Sequence, residues 1–252
     1  MIEVVLFGTG NVASHLFKAL RKSKFVKVIQ IYNHRKESLG FFKDKVAVTT
    51  SFNDLKKADL FLIAVKDDYI FEIASQLKSY KTLVAHTSGS LPLLSNNDRN
   101  GVFYPLQTFS KAQTIDYNAI PIRIEASNPS DLKILEKVGA EISQKVYPIN
   151  SEQRKSLHLA AVFACNFSNA LYGLAEEICQ ENEVPFEILY PLILETAQKI
   201  ENNSPKTVQT GPAIRGDQKT IDFQLSQINS TEIKNLYILL TKLIQKNNEN
   251  KL

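Results

Sequence analysis

The strongest constraint lies in the first thirteen residues. Ile2–Phe7 is a short β-prone apolar run broken only by Glu3. It meets Gly8-Thr9-Gly10-Asn11-Val12-Ala13 directly, and from Asn11 the apolar residues Ala13, Leu16, Phe17 and Leu20 recur at helical spacing. A strand, a G-x-G-x-x-A turn and a helix in that order describe a dinucleotide-binding βα unit. Each position has a reason. Gly8 permits the tight exit from the strand, Gly10 lets a pyrophosphate reach bare backbone, and Ala13 lets the helix pack against the strand. The helix start offers free N–H groups and the positive end of its dipole to the phosphates, so Gly8, Thr9, Gly10, Asn11 and Val12 are candidate cofactor contacts.

The second strand chooses between the two nicotinamide dinucleotides. It ends Ile31-Tyr32-Asn33-His34-Arg35-Lys36. The carboxylate that would hold a ribose 2′-hydroxyl is missing, and Asn33, Arg35, Lys36 and Ser38 stand in its place. A guanidinium fork matches a 2′-phosphate, so the expectation is NADP. The end of the fourth strand, Ala64, Val65 and Lys66, is expected to line the ribose or the diphosphate.

Strand and helix patterns alternate to about residue 150. Strands are expected at Ile2–Phe7, Val26–Tyr32, Val46–Thr50, Leu60–Val65, Thr82–His86, Val102–Leu106, Ile120–Glu125 and Lys145–Pro148. This alternation predicts an α/β fold, a doubly wound Rossmann-type, mostly parallel sheet. The spacing then becomes helical, with one helix from Ser151 to about Asn182, a second from Pro185 to about Asn202, a polar loop over Asn203–Asp217 and a last helix over Thr231–Gln245. The expected organisation is a nucleotide-binding domain over 1–150 and an all-helical substrate and dimerisation domain over 151–252. The interior of the long helix, AAVFACNFSNALYGLA, is small and apolar enough to be buried nearly all round, which predicts a homodimer through this domain.

Composition excludes several classes. With 252 residues, 44% hydrophobic and 22% charged, the chain can bury a core without staples. The net charge of +4 is spread out, with no run of five basic residues, which suits an anionic ligand and gives no support to nucleic acid. Cys165 and Cys179 lie 14 positions apart on one expected helix, roughly 21 Å at 1.5 Å per residue, too far for a disulfide. Reduced thiols, an opening that does not read as a signal peptide and no apolar stretch near 20 residues lead to the expectation of a soluble, cytoplasmic protein without membrane contact. No Cys, His, Asp or Glu cluster has metal-ligand spacing, so no metal is expected.

Ligands on doubly wound sheets sit outside the carboxyl ends of the strands. His86 and Ser88 close one strand, and Gln107 follows another. His86 reads either as a proton donor or as a structural histidine at a strand end. On the long helix, His158 is a second candidate acid, while Asn166 reads equally as a substrate contact or a helix-packing residue. The loop Gln209-Thr210-Gly211-Pro212-Ala213-Ile214-Arg215-Gly216-Asp217 places Thr210 and Arg215 as candidate substrate contacts; in the alternative, Arg215 and Asp217 pair and hold the loop.

The glycine turn, Asn33-His34-Arg35, His86-Thr87-Ser88-Gly89, Phe103-Tyr104-Pro105-Leu106-Gln107-Thr108, the LHLAAVFACNF helix and TGPAIRGD together resemble an uncharacterised bacterial family assigned as NADP oxidoreductases, with a Rossmann-like domain followed by a helical domain of unknown function. The chain is more distantly similar to pyrroline-5-carboxylate reductase, ketopantoate reductase and the 6-phosphogluconate-dehydrogenase-like superfamily. The resemblance implies a helical second domain that contributes to a dimer and closes over the nicotinamide. Hydroxyacid-dehydrogenase relatives carry a lysine four residues before an asparagine on the long helix. Here Val162 precedes Asn166, so His158 or His86 would have to supply the proton. The expected function is hydride transfer between NADP(H) and a C=O or C=N bond of a small anionic metabolite. The alternative is a non-catalytic NADP(H)-binding regulator or sensor on the same fold.

Overall fold

A computed structural model describes residues 1–110 and 115–249. The chain divides into two compact units, Met1–Ala170 and Leu171–Leu252. The first is built on eight strands: β1 (Ile2–Phe7), β2 (Val26–Tyr32), β3 (Ala47–Thr49), β4 (Leu60–Ile63), β5 (Leu83–His86), β6 (Asn100–Pro105), β7 (Ile122–Ala126) and β8 (Val146–Pro148). They form one sheet in the order β3-β2-β1-β4-β5-β6-β7-β8. All neighbours are parallel except β6 and β7. This is the doubly wound, mostly parallel architecture expected from the alternation of strand and helix patterns.

Burial on both faces explains the continuous apolar strands. Val4, Leu6, Leu60, Leu62, Leu83, Ala85, Phe103, Ile122 and Ile124 share a core with α1 (Asn11–Leu20) and α3 (Pro129–Ala140). Val5, Phe7, Phe61, Ile63 and Val84 face α2 (Asp67–Gln76) on the other side, through Ile70 and Ala74. A long helix follows the sheet. It begins as α4 (Ser151–Ala161), passes through one π-helical stretch at Val162–Phe167 and continues as α5 (Ser168–Glu181). Its cap is Asn150, whose side chain accepts from the Gln153 N–H while Gln153 bonds back to the Asn150 N–H. The composition shift at residues 150 and 151 marks the start of α4, yet α4 packs with the sheet. Arg154, wholly buried, pairs with Glu125 of β7 and donates to Leu91 O.

In the second unit α6 spans Tyr190–Lys199, α7 Pro212–Arg215, α8 Gln218–Gln227 and α9 Thr231–Glu249. The short α7 lies inside the expected polar loop, and α8 was not foreseen. Gly211 and Gly216 bracket α7 with φ of 110° and 66°, a left-handed entry and exit that let so short a helix form. Among the described residues the only buried hydrophobic side chains of this unit are Ala213 and Ile221. Leu192, Leu194, Phe223 and Leu239 are each about 60% exposed or more.

The long helix departs from expectation in one respect. Ser151–Glu181 runs 31 residues and contains an 18-residue stretch of mean hydropathy 1.2, long and apolar enough to cross a membrane by length and composition. Nothing in that stretch is buried within the chain, although its sequence was expected to be buried nearly all round.

Candidate functional site

The carboxyl ends of the central strands lie level. Phe7 pairs with Ile63, Ile63 with His86, and His86 with Val102. Strand β1 passes first to β2 and β3 on one side and then crosses to β4 on the other, so the crevice between β1 and β4 is the topological switch point where such sheets bind ligands. The glycine turn fills its mouth. Gly8 has φ 113°, and a Cβ there would meet Ala64 O at 2.2 Å, so both backbone angle and space demand glycine. Gly10 differs: its φ is −70°, and a Cβ would meet nothing within 4 Å. The first bond of α1 runs from Ser14 N–H to Gly10 O, so the N–H groups of Asn11, Val12 and Ala13 point out of the helix end without helical partners. Bare backbone, open space and a dipole end suit a diphosphate, and the turn fits the group its sequence implies.

The end of β2 is tied to this turn. Asn33 Nδ2 donates to Thr9 Oγ1 at 2.8 Å, and Asn33 Oδ1 accepts from Arg35 N–H at 2.8 Å. Asn33 therefore holds the basic corner rather than standing free. Ser38 N–H bonds to Arg35 O in the tight turn that follows, which gathers Arg35, Lys36 and Ser38, all exposed, at one corner. Arg35 Nε reaches His34 Nε2 at 3.2 Å, and among the described residues no carboxylate pairs with its guanidinium. Ala64 is buried under Gly8, with Val65 beside it, while Lys66 is exposed at the start of α2. Asn11 spends its side chain on Phe109 O, and His15, one turn on, bridges Ser110 O and the Tyr117 hydroxyl. Phe109, Ser110 and Tyr117 are thus pinned to α1.

Two expected substrate-side residues have their polar atoms engaged within the fold. His86 is wholly buried. Its Nδ1 accepts from Ser88 N–H at 3.2 Å and its Nε2 donates to Pro92 O at 3.0 Å. Desolvation lowers its pKa to about 4, against the small opposing pull of the Pro92 bond. With both ring nitrogens committed, it cannot pass a proton to a ligand. Ser88 Oγ donates to Asp67 at 2.7 Å and accepts from the N–H groups of Ser90 and Leu91, which saturates it. Together they fold the 86–92 loop. A histidine kept neutral in the fold and titrating normally when unfolded leaves the unfolded chain binding more protons between pH 4 and 6.5, so stability rises with pH across that window. We expect the urea midpoint to fall from pH 6.5 to 4.5, reflecting a loss of about 2 kcal/mol of stability from this group, and His86→Gln to flatten that limb.

That loop presents Gly89 to His158. A Cβ at Gly89 would meet His158 Nδ1 at 2.6 Å and Tyr104 Cζ at 2.9 Å, so glycine lets the two rings lie against the loop. The Tyr104 hydroxyl is 2.9 Å from His158 Nδ1. Burial raises the Tyr104 pKa, so it stays a phenol. A phenol can donate to a bare Nδ1, with the ring hydrogen on Nε2, or accept from an Nδ1–H. Because β6 runs to Pro105, Tyr104 stands two residues past Val102, which is level with His86. The pair forms a wall beside the strand ends. Tyr104 and Gly89 were not singled out from sequence; their only signals are a tyrosine at a strand end and a glycine after His-Thr-Ser.

The remaining candidates, Gln107, Asn166, Thr210 and Arg215, are all exposed. Gln107 is exposed and turns its Oε1 onto Thr108 N–H. Asn166 is exposed in the π-helical stretch, a helix irregularity common at functional sites. Thr210 and Arg215 belong to the second unit, both exposed, and Arg215 helps hold Asp217 below the usual carboxylate range, after the dominant hydrogen bonds from Thr220. Cys165 and Cys179 are free thiols.

The domain of unknown function DUF2520 matches residues 120–244. A Bacteroides fragilis protein provisionally named an NADP oxidoreductase is 39% identical, with a TM-score of 0.89 over 97% of this chain and 98% of that one. A Thermotoga maritima protein is 22% identical at a TM-score of 0.75, covering 98% and 99%. The 1-pyrroline-5-carboxylate reductase of Streptococcus pyogenes is 14% identical at 0.65, covering 98% of each, and at that identity shows the fold alone. No curated protein matches the chain in sequence.

Proposed function

This chain belongs to the family of the Bacteroides fragilis protein and matches the domain of unknown function DUF2520 over residues 120–244, and from that premise we propose that it is an NADP(H)-dependent oxidoreductase acting on a C=O or C=N bond of a small anionic metabolite. The observation that carries this reading is the bare backbone at Gly10 above the β1–β4 crevice, together with a half-buried His158 that bonds Tyr104 near the end of β6. The family relative's name supports the redox class.

The nicotinamide of NADP(H), when bound, supplies or takes the hydride. The chain's own part is binding, orientation and proton transfer. The N–H groups of Asn11, Val12 and Ala13 receive the diphosphate. Arg35, with Lys36 and Ser38, receives the 2′-phosphate, since a guanidinium without a carboxylate partner is free to fork onto it. Tyr104 holds His158 at Nδ1, and the imidazolium form of His158 acts as the general acid, giving its Nε2 proton to the oxygen or nitrogen of the reduced bond and being left as the neutral ring. In the reverse direction the same nitrogen receives it.

We further propose a homodimer. The second unit buries only Ala213 and Ile221 among its described hydrophobic residues, too little for a core, and the long helix leaves Leu159, Phe163 and Phe167 at least 50% exposed. A second copy covers such a face better than a membrane does, because Arg154, near the start of the helix, is locked to Glu125 on the sheet. Light scattering at micromolar concentration tests it, with a mass near 57 kDa expected from a 28.4 kDa chain and a monomer refuting it. The free thiols fit a reducing, cytoplasmic setting.

The functional test is NADPH oxidation, followed by absorbance, across a panel of carbonyl and imine acids. Turnover of at least one supports the reading. NADPH binding without any turnover would make the chain a cofactor-binding regulator.

A further inference from the structure

We infer that Arg123, not Arg215, is the substrate's anion clamp, and that it selects small carboxylates whose reacting carbonyl or imine carbon faces His158. The inference rests on the oxidoreductase reading and adds the residue that sets its substrate class. Arg123 lies directly opposite Tyr104 in the antiparallel β6–β7 pair. Residues so paired share one face, with Cβ atoms roughly 5 Å apart. That face carries Tyr104 and His158, and because β7 runs against β6, Arg123 lies at the ligand end of the sheet.

The guanidinium is positioned yet unused. Its carbon sits 4.5 Å from the centroid of the Tyr147 ring, which fixes the plane of the fork. Its Nε is buried without a hydrogen-bond partner. Among the described residues no carboxylate pairs with it, whereas Arg99 has Asp131 and Arg154 has Glu125. The carboxylate nearest along its own strand face, Glu125, is consumed by the N–H and hydroxyl of Ser151 and by Arg154. A half-buried guanidinium with an orphaned nitrogen is costly unless an anion completes it, and a planar carboxylate offers two oxygens in matching geometry. Tyr147 is 47% exposed, which leaves the approach open. A substrate held there by its carboxylate places the adjoining carbons toward Tyr104 and His158.

Calorimetric titration decides it, with and without saturating NADPH. The probes are 2-oxo acids of two to six carbons, each against its neutral amide. The wild-type protein is expected to bind at least one acid ten times more tightly than its amide. Arg123→Gln loses that preference, Arg123→Lys keeps part of it, and NADPH affinity stays within twofold in both. Equal binding of acid and amide by the wild type, or undiminished acid binding by Arg123→Gln, overturns the proposal. Should Arg123→Gln fail to fold by its melting curve, an acid preference in Arg123→Lys equal to that of the wild type overturns it as well. If NADPH fails to bind, the cofactor reading falls on its own, and the titration without NADPH still decides Arg123.

Discussion

Replacing Gly10 by valine is expected to leave the protein folded and to weaken NADPH binding at least a hundredfold. The backbone at Gly10 is extended on the ψ side with φ −70°, a conformation valine adopts readily, and no heavy atom lies within 4 Å of where its Cβ would go. The melting temperature should therefore move little, since a substitution into open space costs within about 0.5 kcal/mol. The same open space is where the account puts the diphosphate, so two methyl groups there exclude the ligand and nothing else. Gly8→Ala is the contrasting control. Its Cβ meets backbone oxygen at 2.2 Å on a φ of 113°, so the strand-to-helix turn must shift, and the loss appears as stability before it appears as binding. Thermal melts and NADPH fluorescence on both variants separate the two roles. A Gly10→Val protein that binds NADPH like the wild type would place the diphosphate elsewhere.

His158→Gln is expected to lower kcat by about a hundredfold to ten-thousandfold with NADPH affinity unchanged, the range that loss of a positioned general acid produces. Glutamine keeps a polar end of similar reach but cannot give up a proton. Tyr104→Phe should cost less, about tenfold, because it frees the ring without removing the acid, and its effect should fall on kcat more than on KM. His86→Gln, which touches no ligand here, should change stability and its pH dependence rather than the pH profile of kcat. Single-turnover measurement with any acid found active in the NADPH panel checks all three. A His158→Gln enzyme with wild-type kcat would hand the proton transfer to another group or to water.

What was readable in the sequence followed the range of the interactions. The glycine turn is local chemistry, in which a strand, a backbone angle and a helix start occupy ten consecutive residues, and the structure reproduces it position by position. The sheet was equally legible, because strands buried on both faces must be apolar throughout. The proposed proton-transfer pair was only half legible. His158 stood out as a histidine on an apolar helix, but its partner Tyr104 lies 54 positions away on a strand whose pattern says nothing of its neighbour. His86 read from sequence either as a proton donor or as a structural histidine, because a strand end faces the ligand in general; only the fold of the 86–92 loop, returning Pro92 O to the ring, supplies contacts that favour the second reading. Arg123 was passed over because alternation within β7 marks it merely as off the apolar core. The exposed long helix shows a further limit. Composition reports that a surface will be covered, and not by which chain.

The measurement that bears most directly on the central claim is a calorimetric titration of the purified protein with NADPH and, separately, with NADH. The account predicts one NADPH per chain, bound at least ten times more tightly than NADH because Arg35 has no carboxylate of its own and receives the 2′-phosphate. No heat from either nucleotide up to millimolar concentration, or NADH bound as tightly as NADPH, would contradict it.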